Sequence, residues 1–191
     1  MPLSAKQERF TFADCLTWDE DEHIEIINGE AFMMATPSRI HQGICFEIGR
    51  QLGNYLEGKQ CKVYPAPFGV RLFEQDGDSP ENVDTVVEPD ISVVCDRSKL
   101  DEHGCKGAPD LIVEVLSPST QRHDQLVKLN LYQRAGVREY WIVDPENRTV
   151  RVMVQADDGL LHVHEVYRQV DVAKVNVLDG CFIELSKVFS E

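Results

Sequence analysis

GAPDLIVEVLSPSTQRHDQLVKLNLYQRA, residues 107–135, is the stretch that decides the fold. Its segment DLIVEVLS is a short apolar run of strand length, and Ser119 or Thr120 just after it can cap a helix. The helix then extends over QRHDQLVKLNLYQRA, and Gly136 stands where a helix typically ends. The stretch therefore predicts a buried strand followed directly by a helix.

The sequence on either side of this stretch adds further strands. EYWIVD at 139–144 follows the helix, and two more strand-like runs beyond it are joined by Asp158-Gly159. Upstream, DTVVEPDISVVCD is a strand interrupted or entered at Pro89, and the run over residues 61–73 is β-rich, with prolines typical of an edge or a bulge. This order predicts an α/β or α+β unit.

The N-terminal third predicts a hairpin and a long helix. Asn28-Gly29 between apolar runs indicates a tight turn joining strands near 23–27 and 30–34. Ser38 can cap the helix that follows. Its apolar residues recur at helical spacing, namely Ile40, Ile44, Ile48, Leu52 and Leu56.

Length and composition indicate one globular domain over residues 1–191, since 42% of the residues are hydrophobic. The start MPLSAKQERF has no apolar run after a basic segment, and no long apolar stretch follows, which favours a cytoplasmic protein without a membrane span. The six cysteines are far apart, without a C-x-x-C pair. Reduced thiols are the prediction, although an even count leaves disulfides possible in principle.

The formal charge of −14 counts against a broad basic surface for nucleic acid. The distribution is uneven, because residues 97–138 hold seven Lys/Arg against five Asp/Glu, a balance of +2, and the remaining chain carries −16. A DNA contact by this chain therefore has to be narrow or assisted by a metal ion.

Three carboxylates occupy positions where chemistry is expected. Strand alternation puts Asp110 and Glu114 on the same face of DLIVEVLS, and Glu114 lies inside an apolar run, where an unpaired charge is costly. Asp90 leads into the apolar run ISVVC. If the two strands are neighbours, Asp90 and Glu114 converge on an oxygen-rich site suited to Mg²⁺. The alternative is that each acid caps a strand end or pairs with an arginine.

Lys128 shares a helix face with Asp124, four residues before it. Taken alone, this spacing is typical of an exposed ion pair. A helix that starts at the end of the Glu114 strand can nevertheless fold back over it and bring the Lys128 ammonium to the metal site. There it can orient the attacking water or stabilise the charge that develops at phosphorus.

Several segments in order resemble the Uma2-like family of restriction-endonuclease-like proteins, which is similar to the PD-(D/E)XK nucleases. They are INGE at 27–30, PSRIHQ at 37–42, PD at 89–90, GAPDLIVEVLSPST at 107–120, D-x-x-x-K at 124–128 and LYQRAGVREYWIVDPE at 131–146. The resemblance implies a restriction-endonuclease-like core, with a mixed β-sheet flanked by helices and extra β-hairpins, and divalent-metal hydrolysis of phosphodiesters.

The resemblance also implies roles for particular residues. The PD aspartate falls on Asp90 and the strand glutamate on Glu114, while Leu116 stands where the E-x-K pattern has its lysine. Lys128 is then a migrated lysine. Glu47 could fill the helix-borne acid position of such nucleases, although a lone glutamate is more often solvated surface. Asp110 either supports the metal or caps the loop.

One further residue and the function remain open between alternatives. His41 either hydrogen-bonds locally or approaches the site. The leading hypothesis is a Mg²⁺-dependent endonuclease acting on DNA, with Mn²⁺ as a substitute ion, in which Asp90, Glu114, Lys128 and Glu47 are catalytic. Asp90, Glu114 and Asp110 then serve the metal. The alternative is a catalytically degenerate binding or assembly module. A homodimer is expected, with the EYWIVD strand and the later hairpins as edges for self-association.

Overall fold

The computed structural model describes residues 9–19, 23–117 and 123–190, and gives residues 123–125 by their backbone. The helices are α1 (Phe12–Cys15), α2 (Arg39–Leu56), α3 (His123–Ala135) and α4 (Leu185–Val188). The strands are β1 (Ile24–Ile27), β2 (Glu30–Met33), β3 (Lys62–Pro65), β4 (Val70–Arg71), β5 (Val86–Val87), β6 (Ile91–Val94), β7 (Leu100–Asp101), β8 (Gly104–Lys106), β9 (Leu111–Val115), β10 (Glu139–Asp144), β11 (Thr149–Gln155), β12 (Leu161–Arg168), β13 (Val172–Lys174) and β14 (Phe182–Glu184). The predicted helix cap at Ser119 or Thr120 lies outside the described residues.

The main sheet has six strands in the order β12-β11-β10-β9-β6-β3. β9 and β10 are parallel, and the other neighbours are antiparallel. Parallel neighbours need a crossover connection, and α3 lies in the one between β9 and β10. The prediction of a mixed sheet flanked by helices is confirmed. β3, which ends at Pro65, lies at the sheet edge, where a proline is tolerated.

Side chains on the two faces of β9 pack against different layers of the protein. Leu111, Val113 and Val115 belong to a core cluster that includes residues of α2 and α4. Ile112 belongs to a second cluster, which contains Tyr132 of α3. Because side chains alternate along a strand, Glu114 lies on the same side as Ile112. This alternation directs the Glu114 carboxylate toward α3.

The apolar stripe of α2 packs on the main sheet as its spacing predicts. Ile44, Ile48, Leu52 and Leu56 are buried, whereas Ile40 in the first turn is 50% exposed. The Ser38 hydroxyl accepts a hydrogen bond from the first-turn backbone at a distance of 3.2 Å and so caps the helix. The helix therefore starts at a fixed point, which orients its first two turns.

A second six-stranded sheet, in the order β2-β1-β5-β4-β8-β7, packs on the α3 side. Its first two strands form the predicted hairpin, in which Ile27 pairs with Glu30. Asn28 and Gly29 have φ values of 52° and 85°, the positive values that a two-residue hairpin turn of this type requires. The docking of this sheet brings β1 close to α3.

The prediction of reduced thiols is wrong for two of the six cysteines. Cys61 and Cys95 form a disulfide, while the other four are free. The pairing of β3 with β6 matches Lys62 to Val94, so Cys61 and Cys95 are the next pair in the same register. Their closeness depends on this strand register, which their separation of 34 residues along the chain does not reveal.

The interpretation of the EYWIVD strand as an exposed edge is also wrong. β10 hydrogen-bonds to β9 on one side and to β11 on the other, so it is an interior strand. The edge on this side of the sheet is β12, from the later hairpin. Within the described part of the chain, no helix is both long enough and apolar enough to cross a membrane.

Candidate active site

Asp90 and Glu114 come together because their strands are neighbours. β6 and β9 pair antiparallel, with Ile91 opposite Val113, so one further step in this register sets Asp90 beside Glu114. The Val115 amide donates a hydrogen bond to Asp90 Oδ2 at 2.7 Å, which fixes the aspartate at the strand end. The two acids therefore lie side by side, where β6 begins and β9 ends. This is the arrangement expected if the two strands are neighbours.

α3 brings a cation and a hydroxyl to Glu114. Lys128 Nζ lies 2.9 Å from Glu114 Oε1, and the Tyr132 hydroxyl donates a hydrogen bond to the same oxygen. Lys128 and Tyr132 are four residues apart, so they share a face of the helix. The Lys128 side chain is 13% exposed, which makes this a largely buried ion pair.

β1 contributes a further acid, Glu25, which the sequence interpretation missed. Its Oε1 lies 3.0 Å from Lys128 Nζ and accepts a hydrogen bond from the Glu88 amide. Glu25 is only 3% exposed. Its position in HIEIING is typical of the solvent face of a hairpin strand. A sequence signal for its burial is Ile27, which lies on the same strand face as Glu25, so that both faces of β1 are apolar near the turn.

α2 contributes His41 and Cys45, one helical turn apart. His41 Nε2 lies 3.2 Å from Asp90 Oδ2, and Cys45 Sγ lies 3.5 Å from His41 Nδ1. Of the two alternatives for His41, both occur, since its backbone amide bonds to Ser38 while its ring approaches the site. His41, Cys45 and Asp90 each offer one potential ligand atom, and these atoms lie within 4.8 Å of one another.

Burial and mutual repulsion set the protonation of the acids and the lysine. Burial raises the pKa of Glu114 to about 7, and the nearby charges of Asp90 and Glu25 act in the same direction. Burial alone would lower the pKa of Lys128, but Glu114 and Glu25 raise it above its usual value. Lys128 therefore carries its positive charge at neutral pH, while Glu114 is poised to gain or lose a proton.

Tyr132 and Cys45 keep their protons, and the pKa of His41 is raised. Burial raises the pKa of Tyr132, and the charges of Glu114 and Glu25 add to this effect, so its hydroxyl remains a donor. Burial raises the pKa of the Cys45 thiol in the same way. Burial alone would lower the pKa of His41, but its hydrogen bond to Asp90 and the negative charge there raise it.

The chemistry of this cluster fits a divalent cation. Glu25 and Glu114 flank the Lys128 ammonium, and Asp90, which contacts His41, lies beside Glu114, so three carboxylates gather around one lysine. Among the hydrogen bonds between described residues, none is accepted by Asp90 Oδ1 or by Glu114 Oε2. As far as the described residues extend, one oxygen of each acid is therefore open to a hard cation such as Mg²⁺, which binds one or two protein carboxylates and keeps several waters.

The structure does not bring Asp110 to this cluster. Its Oδ2 accepts a hydrogen bond from the Cys95 amide at 2.8 Å, and its Oδ1 lies 2.9 Å from Arg138 Nη1. Glu114 is four residues further along the extended chain, which corresponds to about 13 Å. Strand alternation predicts that the two acids share a face. In the structure they lie at opposite ends of the strand, so sharing a face does not bring them together. Asp110 is held as the loop-capping alternative describes.

Glu47 is held by partners on its own helix, Leu116 has no group that could serve the cluster, and Asp124 belongs to the residues described by backbone alone. Glu47 is bound by Arg50 and Gln51 of its own helix, with Nε of Arg50 at 2.9 Å. The Arg50 hydrogen bond lowers the pKa of Glu47. The Leu116 side chain packs on the apolar cluster under α3. The α2 residue that contacts Asp90 is thus His41, and the nearby ammonium comes from Lys128.

Known proteins resemble this chain along most of its length. "Uncharacterized protein slr1290" of Synechocystis sp. (strain ATCC 27184 / PCC 6803 / Kazusa) is 26% identical over 159 residues, covering 82% of this chain and 80% of that protein. "Uncharacterized protein sll1609" of the same organism is 25% identical over 149 residues, covering 75% of this chain and 80% of that protein.

A solved structure shares the fold. The crystal structure of a "putative nuclease belonging to DUF820" from Anabaena variabilis ATCC 29413 superimposes with a TM-score of 0.71 at 21% identity. The match covers 95% of this chain and 98% of that one. The model of the Uma2 family, described as "Putative restriction endonuclease", matches residues 12–186. Because this match spans most of the sequence, the chain belongs to the Uma2 family, as its motifs indicate.

Proposed function

We propose that this chain is a Mg²⁺-dependent endonuclease that hydrolyses phosphodiester bonds in DNA. The observation that carries the proposal is the convergence of Asp90, Glu114 and Lys128, since Lys128 Nζ lies 2.9 Å from Glu114 Oε1 beside the Asp90 strand end. The family description and the nuclease-like fold support a nuclease. DNA as substrate and Mg²⁺ as cofactor are inferences from the site chemistry and from the resemblance.

In this proposal, Asp90 and Glu114 hold the cation through their available oxygens. A bound Mg²⁺ supplies Lewis-acid stabilisation of the negative charge that develops at phosphorus and a template that orients the reacting groups. Mn²⁺ takes similar oxygen ligands and is expected to substitute. Glu47 and Asp110 have no part in this chemistry, because the structure binds both elsewhere.

Lys128 acts as a hydrogen-bond donor in this proposal, not as a base. Glu114 and Glu25 keep its pKa above the usual value, so the ammonium is retained at neutral pH. From its position it orients the attacking water or stabilises a non-bridging phosphate oxygen. Glu25 holds Lys128 from the other side at 3.0 Å and thereby acts as a positioning residue.

The direct test is cleavage of supercoiled plasmid by the purified protein. Nicking is expected with Mg²⁺ or Mn²⁺ and not with EDTA, and it should be lost in Asp90→Ala and Glu114→Gln variants whose circular dichroism and melting show an intact fold. Nicking that persists in both folded variants would reject the assignment of these two acids.

A second function, that of a binding or assembly module, is favoured by the charge of −14 and by Leu116 at the E-x-K position. Thermal melting with added metal separates the two functions, because an ion that binds only the folded state raises the melting temperature. An upward shift at millimolar Mg²⁺ or Mn²⁺ supports the nuclease. No shift together with no nicking supports the module.

A further inference from the structure

The α2 side of the site contains a ligand set that the proposed Mg²⁺ chemistry does not use. His41 and Cys45 are one helical turn apart; His41 contacts Asp90 directly, and a ligand atom of Cys45 lies within 4.8 Å of those of His41 and Asp90. Their side chains are shielded, since Cys45 is 9% exposed and the His41 side chain 12%. The Ser38 cap fixes the first turn of α2, so His41 is held in place by its backbone as well as by its ring.

The spacing of these atoms suits a small tetrahedral ion. Bonds of about 2.0–2.3 Å to nitrogen, oxygen and sulfur place ligand atoms roughly 3.5 Å apart around such an ion. His41 Nε2 and Asp90 Oδ2 are 3.2 Å apart, and one ligand atom from each of His41, Cys45 and Asp90 falls within 4.8 Å of the others. One imidazole nitrogen binds the ion, so side-chain rotation has to bring separations of up to 4.8 Å down to about 3.5 Å.

The ligand types select a different cation from the two-carboxylate pair. Mg²⁺ takes oxygen ligands almost exclusively, whereas sulfur and imidazole nitrogen favour Zn²⁺ and Co²⁺. Asp90 belongs to both sets, because its Oδ2 faces His41 while its strand neighbour is Glu114. A thiophilic ion on the α2 side and Mg²⁺ on the Glu114 side therefore compete for one carboxylate.

We propose that His41, Cys45 and Asp90 form a binding site for a thiophilic divalent cation, Zn²⁺ or its spectroscopic substitute Co²⁺. Cys45 binds as the thiolate, so its S–H proton passes to solvent as the metal–sulfur bond forms, and the step needs no oxidant or reductant. Three protein ligands leave the fourth tetrahedral position to water. The consequence that this ion inhibits cleavage by displacing Mg²⁺ rests on the function proposed above.

The deciding experiment is a Co²⁺ titration of the metal-free protein without DNA. A thiolate bound to Co²⁺ gives a near-ultraviolet charge-transfer band, and this band is expected to saturate at one ion per chain. Cys45→Ser should abolish the band. The matched control is Cys105→Ser, which removes another buried free thiol far from this ligand set and should leave the band unchanged.

Failure to see the band in the wild-type protein would overturn the site, whatever the variants do. A band that persists in Cys45→Ser would overturn it as well, because another sulfur would then be the ligand. If Cys45→Ser fails to fold, His41→Gln provides the second variant, and it should weaken Co²⁺ binding at least about tenfold through loss of a ligand. Absence of plasmid nicking counts against the endonuclease alone, since the Co²⁺ titration contains no DNA.

Discussion

The two ends of strand β9 carry the same chemical group in different surroundings. Asp110 directly precedes the strand. It is bound by the Cys95 amide and by Arg138, whose side chain is 57% exposed. Glu114 lies near the other end, where burial raises its pKa to about 7 beside the largely buried Lys128. Strand alternation places both on one face, but the neighbouring elements decide that Asp110 holds the loop and that Glu114 meets a buried charged cluster.

The largest expected difference between the two ends is in cleavage. Glu114→Gln keeps the shape of the side chain but removes the charge that binds the cation, so the rate of plasmid nicking should fall at least roughly 1000-fold. Asp110→Asn changes the other end of the same strand. Its nicking rate should stay within about threefold of the wild-type rate, because the substitution weakens only contacts that hold the loop. Equal losses in the two variants would contradict the assignment of Glu114.

The next difference concerns stability. Lys128→Met leaves Glu25 and Glu114 buried without their cation, and breaking a buried pair in this way lowers the free energy of unfolding by about 3 kcal/mol. Arg138→Met removes the solvent-exposed partner of Asp110 and should cost less than about 1 kcal/mol. Urea denaturation of both variants measures the two free energies of unfolding. Similar losses in the two variants would contradict this prediction.

Glu114 should also make stability depend on pH. Its pKa is about 7 in the folded protein against a usual 4.5, so the folded state binds the proton more readily than the unfolded state. This contribution is fully present at low pH and is lost as the pH rises through about 7. Without metal, the free energy of unfolding should fall between about pH 5 and pH 8 by about 2 kcal/mol more in the wild type than in Glu114→Gln.

Two checks accompany this pH prediction. Asp110→Asn should retain the wild-type fall, because Glu114 is intact in that variant. Mg²⁺ affinity, measured by calorimetry, should rise as the pH increases through about 7, since the ion displaces the Glu114 proton. A wild-type curve that parallels that of Glu114→Gln would show that burial does not perturb this carboxyl.

The smallest effect is expected at Tyr132, which donates one hydrogen bond to Glu114 Oε1. Tyr132→Phe removes that bond and should lower the free energy of unfolding by about 1 kcal/mol. It should also move the pH midpoint of cleavage upward by less than about one unit, because the bond stabilises the charged carboxylate. Tyr55→Phe, which removes a hydroxyl bonded to Asp179 O, is the control and should leave the midpoint unchanged.

Local sequence was informative about the acids on β6 and β9. A carboxylate inside an apolar run carries a high burial cost, so Glu114 stands out before any partner is known, and Asp90 stands out because it leads into an apolar run. The helix that follows Glu114 brings Lys128 back by simple chain geometry, and the observed 2.9 Å contact agrees with that reasoning. The functional roles of these three residues remain predictions.

Long-range contacts were not predictable in the same way. Glu25 reaches the cluster only because a second sheet docks on α3, an arrangement that alternation within one strand does not encode. The Cys61–Cys95 disulfide likewise depends on the register between β3 and β6. For Asp110, strand alternation indicated the face of the strand. It did not indicate at which end of the strand the cluster forms. For Glu47, its own helix supplied closer partners.

The contact between Lys128 and Glu25 joins residues 103 positions apart in the chain. Closing so long a loop costs entropy before any contact compensates for it, so contacts of this kind form late in folding. During synthesis, a nascent chain that has emerged only as far as β9 still lacks the ammonium between its acidic groups. The cluster of Glu25, Glu114 and Lys128 is thus complete only once the second sheet has docked on α3.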